Sequence, residues 1–268
     1  MRMTTSDARP RAVTRWSRAG RGLAWAAWVA AAIGVAAPSG AQDAAEPEYE
    51  GTVVLVHGAW GGGWDWRPVD RMLTERGYDV YRVTLTGLGE RVHLVGPDVD
   101  LETHVQDVVN TILFERLENV VLVGHSYGGM VITGVADTIP ERLEAVVYVD
   151  AFLPRSGESA TGIMGGDPPE DEVITPGWVT PDTPYPRDVP HPAATLIEPL
   201  ELSAPPGARV RSEYILTAEP GQRPDAFQWA ADRAAELGWP VHLIETGHNA
   251  QRTARDELVA LIVEIAGR

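Results

Sequence analysis

Ser126 lies at the centre of the segment 124–128, Gly-His-Ser-Tyr-Gly, which has the Gly-x-Ser-x-Gly spacing of a nucleophile elbow. A short apolar, β-branched run precedes the segment and a helix-like run follows it, so the serine is expected at a sharp strand-to-helix turn. The two glycines let the backbone turn without a Cβ clash, and a helix N-terminus favours negative charge beside the hydroxyl. The pattern predicts that Ser126 is a nucleophile; the alternative is a glycine-rich turn without chemistry.

A serine hydroxyl needs a general base before it attacks a carbonyl. His248 follows the last predicted strand and precedes the last predicted helix. This order of elements lets its imidazole reach over the sheet to Ser126, so His248 is the predicted base. Structural, surface or packing roles are expected for the other histidines, which are His57, His93, His104, His125, His191 and His242.

Two carboxylates are candidates for the acid that orients the base. Asp150 ends the strand after the nucleophile helix, and Glu219 ends the penultimate strand. Both strands are expected to end at the carboxyl edge of one parallel sheet, where ligands bind in such folds. The residues leave both assignments open.

Backbone N–H donors are expected next to Ser126, because a tetrahedral intermediate carries a negative oxygen. One is the N–H of Tyr127, directly after the nucleophile. The other is the N–H of Ala59, in the loop 57–64 after the first strand, His-Gly-Ala-Trp-Gly-Gly-Gly-Trp. This loop lacks the Lys-Ser/Thr pair and the glycine spacing of nucleotide-binding loops, so it predicts an oxyanion hole rather than a phosphate site.

The rest of the chain alternates between strand-like and helix-like segments, which predicts a mostly parallel sheet with helices on both faces. The predicted strands are 51–57, 79–85, 120–123, 145–149, 210–217 and 240–245, and the predicted helices are 66–76, 101–116, 130–137, 225–237 and 252–266. The fold class is therefore α/β.

Prolines crowd the segment 154–206, where the alternation stops. A long insertion between two strands of one sheet is typical of a lid over an active site. The alternative is a disordered linker. Five aromatic residues are candidates to line an apolar pocket, with ordinary core or lid packing as the alternative for each: Trp60, Trp64, Tyr127, Phe152 and Trp178.

The first 41 residues have the pattern of a secretory signal peptide, with a basic start, an apolar run and small residues at a cleavage position. The alternative is an uncleaved anchor. Cleavage would leave residues 42–268 as one domain of an exported bacterial protein, periplasmic or extracellular, without stable membrane association.

Residues 42–268 hold 16 basic and 37 acidic residues, a net charge of −21. So acidic a chain disfavours nucleic acid and anionic membranes, and favours a neutral or cationic small substrate. The sequence contains no cysteine and no lysine, which excludes disulfides, thiol nucleophiles and Schiff-base chemistry. No metal or organic cofactor is predicted, and the sequence does not indicate an oligomeric state.

Three segments together carry a family resemblance: 54–60 (Val-Leu-Val-His-Gly-Ala-Trp), the serine motif, and 151–154 (Ala-Phe-Leu-Pro) after Asp150. They resemble the α/β-hydrolase superfamily, and most of all its plant methylesterase and hydroxynitrile lyase group with the bacterial esterase relatives. The resemblance implies an α/β-hydrolase fold with a short lid. In that group the acid usually follows the penultimate strand, where Glu219 stands, whereas some other hydrolases of the superfamily place it at the position of Asp150.

The expected activity is hydrolysis of small, apolar carboxylic esters through an acyl-enzyme. The lyases of the resembled group carry a threonine after the strand histidine and a lysine after the catalytic histidine, where this chain has Gly58 and Asn249. Two alternatives stay open: a lyase that uses the same residues, and a non-catalytic binder of small ligands.

Overall fold

The computed structural model describes residues 49–221 and 225–268. The predicted signal peptide at 1–41 lies outside these residues. None of the described helices has both the length and the apolar character that crossing a bilayer requires.

The described residues contain a central parallel sheet and a separate, short antiparallel pair of strands. The strands are β1 (Gly51–Val56), β2 (Tyr78–Val83), β3 (Val120–His125), β4 (Leu143–Val149), β5 (Val173–Ile174), β6 (His191–Pro192), β7 (Arg211–Thr217) and β8 (Val241–Ile244). Six of them form one sheet in the order β2-β1-β3-β4-β7-β8, in which every neighbouring pair is parallel. The predicted bounds of these six strands agree with the structure to within two residues.

Helices cover both faces of the sheet, as the alternation predicts. They are α1 (Arg67–Thr74), α2 (Leu101–Phe114), α3 (Gly128–Thr138), α4 (Ala160–Met164), α5 (Ala194–Ile197), α6 (Gln228–Glu236), α7 (Ala250–Thr253) and α8 (Arg255–Ala266). Apolar side chains of α2 and α3 pack on one face, and those of α1 and α8 pack on the other. The predicted helix 252–266 is two helices, because the backbone leaves the helical region at Ala254.

The central strands are buried on both faces, which explains their unbroken apolar sequences. All six residues of β3 are buried, as are five of the six in β1. β1 ends just before the loop 57–64, and β3 ends just before Ser126. The packed core therefore fixes the positions of this loop and of Ser126.

The segment 154–206 lies between β4 and β7 and has short elements of its own. It contains α4, α5 and the antiparallel pair of β5 and β6. We refer to residues 154–206 as the lid segment.

Candidate active site

Ser126 lies in a sharp turn between β3 and α3. Its φ is +54°, a conformation that non-glycine residues adopt only in tightly held positions. A Cβ on Gly124 would lie 2.7 Å from the side chain of Ile132, and one on Gly128 would lie 2.9 Å from the carbonyl oxygen of His57. Both flanking positions therefore require glycine. The Ser126 hydroxyl has no hydrogen-bond partner among the described residues.

His248 lies after β8 and shares a short hydrogen bond with Asp150. The distance from His248 Nδ1 to Asp150 Oδ2 is 2.6 Å. Asp150 is fully buried, and its other oxygen accepts the main-chain N–H of Thr217 at 3.0 Å. A carboxylate accepts only, so Nδ1 carries the proton and Nε2 of the neutral imidazole is left as a proton acceptor.

The position of the His248 ring is set by its neighbours. It stacks on Phe227, with ring centroids 5.1 Å apart and planes 2° from parallel. The main-chain oxygen of His248 faces His125 Nε2 at 2.9 Å. The side chain is 38% exposed, so the imidazole borders the cavity that also contains Ser126.

Glu219, the other predicted candidate for the acid, lies close to His248 without contacting it. Its carboxylate is beside the backbone of Gly247, where an added Cβ would lie 3.1 Å from Oε1. Within the described residues, no hydrogen bond joins Glu219 to His248. The structure thus brings Asp150 to the imidazole and leaves Glu219 exposed at the edge of the turn.

The predicted oxyanion donors border Ser126 on two sides. Tyr127 follows the serine at the N-terminus of α3, and a Cβ on Gly58 would lie 3.0 Å from the Ser126 Cβ. The main-chain N–H groups of Ala59 and Tyr127 donate to no acceptor within the described residues. Ala59 is half-buried and lines the cavity, and Tyr127 is buried, so both N–H groups are available to an oxygen of a bound molecule.

Four other histidines are buried, and burial lowers the pKa of each. The pKa of His104 falls to about 4, and that of His125 falls to about 3 through burial and then the charge of His248. The pKa values of His57 and His191 are also lowered by burial. The four imidazoles are therefore neutral near pH 7, and their nitrogens act as fixed donors and acceptors.

A cavity of about 290 Å³ contains Ser126 and His248. Its other lining residues are Gly58, Ala59, Trp60, Gly61, Asp65, His125, Trp178, Asp188, Asn249 and Arg252. Trp178 and Asp188 come from the lid segment, and Trp178 Nε1 donates to Asp188 Oδ2 at 2.8 Å.

Charged residues in this wall were missed by the sequence analysis. Arg252 lies 2.5 Å from Asp65 and 3.9 Å from Asp188, so one guanidinium faces two carboxylates and the group has a net charge of −1. Arg252 lies in α7, four residues after His248, and this short spacing is a signal that the sequence offers. Asp188 lies in a proline-rich segment whose path the sequence does not determine.

Of the five candidate pocket aromatics, Trp60 and Trp178 line this cavity, and the other three follow the alternative of ordinary packing. Trp64 lies beneath the Arg252 guanidinium, 5.1 Å from it. Tyr127 is buried, and Phe152 packs against Phe227 with ring centroids 5.3 Å apart. All three fill the core or the space around the cavity, because their apolar rings pack in the protein interior.

No cluster of three or more His, Cys, Asp or Glu side chains suited to a metal ion occurs in residues 49–221 and 225–268. The site consists of a part-buried serine hydroxyl that borders the cavity, a histidine oriented by a buried carboxylate, and two N–H donors without an acceptor among the described residues. This combination is suited to attack on a carbonyl carbon.

The chain belongs to the alpha/beta hydrolase family, whose model matches residues 53–261. The predicted fold and family are thus confirmed. Over 111 residues the chain is 52% identical to a carbendazim hydrolyzing esterase of Nocardioides sp., in a match that covers 41% of this chain and 46% of that protein. Over 112 residues it is 30% identical to methylesterase 8 of Arabidopsis thaliana, covering 41% of each. The chain matches less than half the length of these curated relatives.

A solved structure of an extracellular alpha/beta-hydrolase from a Paenibacillus species has a similar fold. The TM-score is 0.65 at 24% identity, and the match covers 81% of this chain and 99% of that chain. This likeness supports the α/β-hydrolase fold.

Proposed function

We propose that the protein is a serine esterase in which Ser126 is the nucleophile, His248 the general base and Asp150 the acid. The observation that carries the proposal is the 2.6 Å contact between His248 Nδ1 and the buried Asp150, in a cavity shared with Ser126. The carboxylate holds the imidazole in the tautomer whose Nε2 accepts a proton.

In the proposed reaction, the Ser126 oxygen bonds to the ester carbonyl carbon while its proton moves to His248 Nε2. The carbonyl π electrons move to the oxygen, which lies against the N–H groups of Ala59 and Tyr127. The C–O bond to the alcohol then breaks, and the imidazolium returns the proton to the leaving oxygen. Water then attacks the acyl carbon while His248 Nε2 takes its proton. The bond from this carbon to the Ser126 oxygen breaks, the acid leaves, and the imidazolium returns the proton to the serine.

Asp150 also stabilises the positive charge that His248 gains. It is fully buried and has His248 and the Thr217 N–H as hydrogen-bond partners. Its negative charge therefore interacts with the imidazole with little screening by water. Glu219 is exposed and lies outside hydrogen-bond distance, so we assign it no part in the reaction.

The proposed substrates are small esters with a neutral or positively charged body. A cavity of about 290 Å³ accommodates a small molecule, and the indoles of Trp60 and Trp178 supply apolar wall. The net negative group of Asp65, Asp188 and Arg252 disfavours an anionic substrate. The relatives named as esterases support ester hydrolysis, and the 52% identity makes carbendazim a suitable test substrate.

We further propose that the protein is exported, because residues 1–41 have the pattern of a signal peptide. The mature N-terminus is then expected near Gln42. N-terminal sequencing of the secreted protein tests this point, and an intact Met1 would contradict it.

The function is tested by hydrolysis of p-nitrophenyl esters, from acetate to long acyl chains, with carbendazim assayed in parallel. We expect rapid release with an optimum at short chains, loss of release in Ser126→Ala, and unchanged release in Ser156→Ala, a serine outside the cavity. Labelling by a fluorophosphonate should occur at Ser126 alone. A wild-type protein that is folded, inactive and unlabelled would overturn the proposal.

A further inference from the structure

Two histidines hold consecutive peptide groups of the loop after β1. His57 Nδ1 lies 2.8 Å from the carbonyl oxygen of Gly58, and its Nε2 accepts the Leu85 N–H at 3.1 Å. The carbonyl of Gly58 and the N–H of Ala59 belong to one trans peptide and point in opposite directions. By binding the carbonyl, His57 therefore fixes the direction of the Ala59 N–H.

The next residue of the loop is held by the lid segment. Trp60 donates its main-chain N–H to His191 Nδ1 at 3.2 Å, and its carbonyl oxygen accepts the Val189 N–H at 2.8 Å. Trp60 has a φ of +61°, which a bulky side chain rarely adopts. Both polar groups of its backbone are thus bound by residues far away in the sequence, and these bonds stabilise the unusual conformation.

The hydrogen bonds also determine the protonation of His191. A backbone N–H only donates, so His191 Nδ1 must accept from Trp60, and the ring proton of the neutral imidazole lies on Nε2. Nε2 faces Thr195 Oγ1 at 2.7 Å, and this hydroxyl donates its own proton to the Pro192 oxygen at 2.8 Å. The side chain is fully buried, and burial keeps the pKa of His191 well below its ordinary value.

His191 also contacts the residue that supplies the other oxyanion donor. Its ring packs edge-to-face on Tyr127, with centroids 5.0 Å apart. The Tyr127 hydroxyl, in turn, lies 2.9 Å from His104 Nδ1. One lid residue therefore touches both sides of the oxyanion hole.

We propose that His191 is a positioning residue of the oxyanion hole: by accepting the Trp60 N–H, it keeps the Ala59 N–H directed at the oxygen that forms on the substrate. This inference rests on the proposed esterase function. It assigns the lid segment a role in stabilising the transition state as well as in covering the substrate. A lid change at His191 is then expected to lower kcat, not only to raise KM.

Three variants separate the two nitrogens of His191. His191→Asn keeps an acceptor near the position of Nδ1, His191→Gln keeps a donor near Nε2, and His191→Phe keeps only the ring. We expect kcat for a p-nitrophenyl ester to fall about 10- to 100-fold in the Gln and Phe variants, with KM little changed, because a small misplacement of a catalytic donor has effects of this size. His191→Asn should retain most of the activity.

A second pair of variants tests the tautomer without changing the histidine. Thr195→Val removes the hydroxyl that accepts from Nε2, and Thr195→Ser keeps it. We expect a lower kcat in Thr195→Val and a near-normal kcat in Thr195→Ser. This pair keeps the proposal testable if a His191 variant fails to fold, which thermal unfolding would reveal.

Inhibitor binding distinguishes positioning from general damage. A trifluoromethyl ketone forms a hemiketal with Ser126 whose oxyanion needs the hole, whereas the matching methyl ketone binds without that charge. We expect the His191→Gln variant to lose affinity for the first by the same factor as kcat/KM and to keep its affinity for the second. If the wild type is active and both His191→Gln and Thr195→Val keep full kcat, the proposed role of His191 is overturned, whereas the esterase proposal stands. A wild type that neither hydrolyses esters nor binds the trifluoromethyl ketone would overturn the esterase proposal and this one with it.

Discussion

Two buried carboxylate–histidine pairs lie at opposite ends of the same part of the sheet. At the carboxyl end, Asp150 lies 2.6 Å from His248. Near the amino end of β7, Glu213 lies 2.7 Å from His242, and only 1% of Glu213 is exposed. The groups and distances are nearly the same, yet the surroundings of the two pairs differ.

The charge of Glu213 is neutralised by arginines. Arg211 lies 3.1 Å from its carboxylate, and Arg268 contacts both oxygens at 3.0 and 3.1 Å. Within the described residues, the hydrogen-bond partners of the Asp150 carboxylate are the Thr217 N–H and its histidine, and the pair borders the cavity of Ser126. A carboxylate–histidine pair thus contributes to stability where arginines neutralise the carboxylate. It is suited to catalysis where the carboxylate interacts with one imidazole beside a serine hydroxyl.

The largest expected effect is on turnover, through Asp150→Asn. We expect kcat to fall about 10³- to 10⁴-fold, because the amide no longer holds the required tautomer or stabilises the imidazolium. Ester hydrolysis under saturating substrate measures the loss. Glu219→Gln and Glu213→Gln are the controls and should stay within a few-fold of wild type. A large loss in Glu219→Gln with an active Asp150→Asn would move the role of the acid to Glu219.

Two buried histidines, His104 and His125, have no carboxylate hydrogen-bond partner among the described residues, and they extend the comparison to pH. His104 and His125 have folded pKa values of about 4 and about 3, below the ordinary value near 6.5. The unfolded chain takes up these protons first, so the free energy of unfolding should fall as pH drops below 6.5, by about 1 kcal/mol per pH unit for each histidine. Urea denaturation at pH 8, 6.5 and 5 measures this slope.

The pH prediction has a matched pair of variants. His104→Gln should flatten the slope between pH 6.5 and 5, whereas His93→Gln, at an exposed position, should leave it unchanged. A stability that is constant between pH 8 and 5 would contradict the buried, neutral state of these histidines.

Glu213→Gln is expected to weaken the fold without affecting the reaction. The carboxylate is buried but its partners are partly exposed, so we expect the free energy of unfolding to fall by about 1–3 kcal/mol. Urea denaturation at pH 7 measures the change. Glu264→Gln removes an exposed carboxylate from the same Arg268 and should change stability by less than about 0.5 kcal/mol. Equal changes in the free energy of unfolding for both variants would contradict the expectation that the buried carboxylate of Glu213 contributes more than an exposed one.

The smallest expected effect is on the preference for a positively charged over a neutral ester, through Asp188→Asn. Phenylalanine methyl ester and methyl 3-phenylpropanoate differ by one ammonium group, which the partly buried Asp188 should favour. We expect Asp188→Asn to lower the kcat/KM ratio of the first to the second about 3- to 10-fold, as for a pair worth about 1 kcal/mol. Asp182→Asn, at an exposed lid position, controls for overall charge, and an equal change in both variants would contradict the local role of Asp188.

The parts of the site that follow one another in the chain were predictable. The Gly-His-Ser-Tyr-Gly segment marks its own turn, since a Cβ at position 124 or 128 would clash with the following helix or with the end of β1. His248 was found from the order of elements alone. The strands were placed to within two residues because runs of buried, β-branched residues leave few alternatives.

Which carboxylate contacts His248, and which residues of the lid segment contact the loop after β1, were not predictable in this way. Asp150 and Glu219 both follow strands that end at one edge of the sheet, and only the packing of β4 beside β7 brings Asp150 to the imidazole. His191 had only an ordinary packing role as its expectation, because its partner Trp60 is 131 positions away. No local pattern marks a contact between residues so far apart.

The sequence by itself therefore determined the family, the alternation of strands and helices, the nucleophile candidate and the base candidate. These features depend on short-range rules: which residues suit a strand, where the backbone needs glycine, and which group follows a strand end. Tertiary structure decided which carboxylate contacts His248, which charges line the cavity and how the lid segment binds the backbone of Trp60. Each of these depends on side chains brought together across the sheet or from the lid segment, and contacts of that kind exist only once the chain has folded.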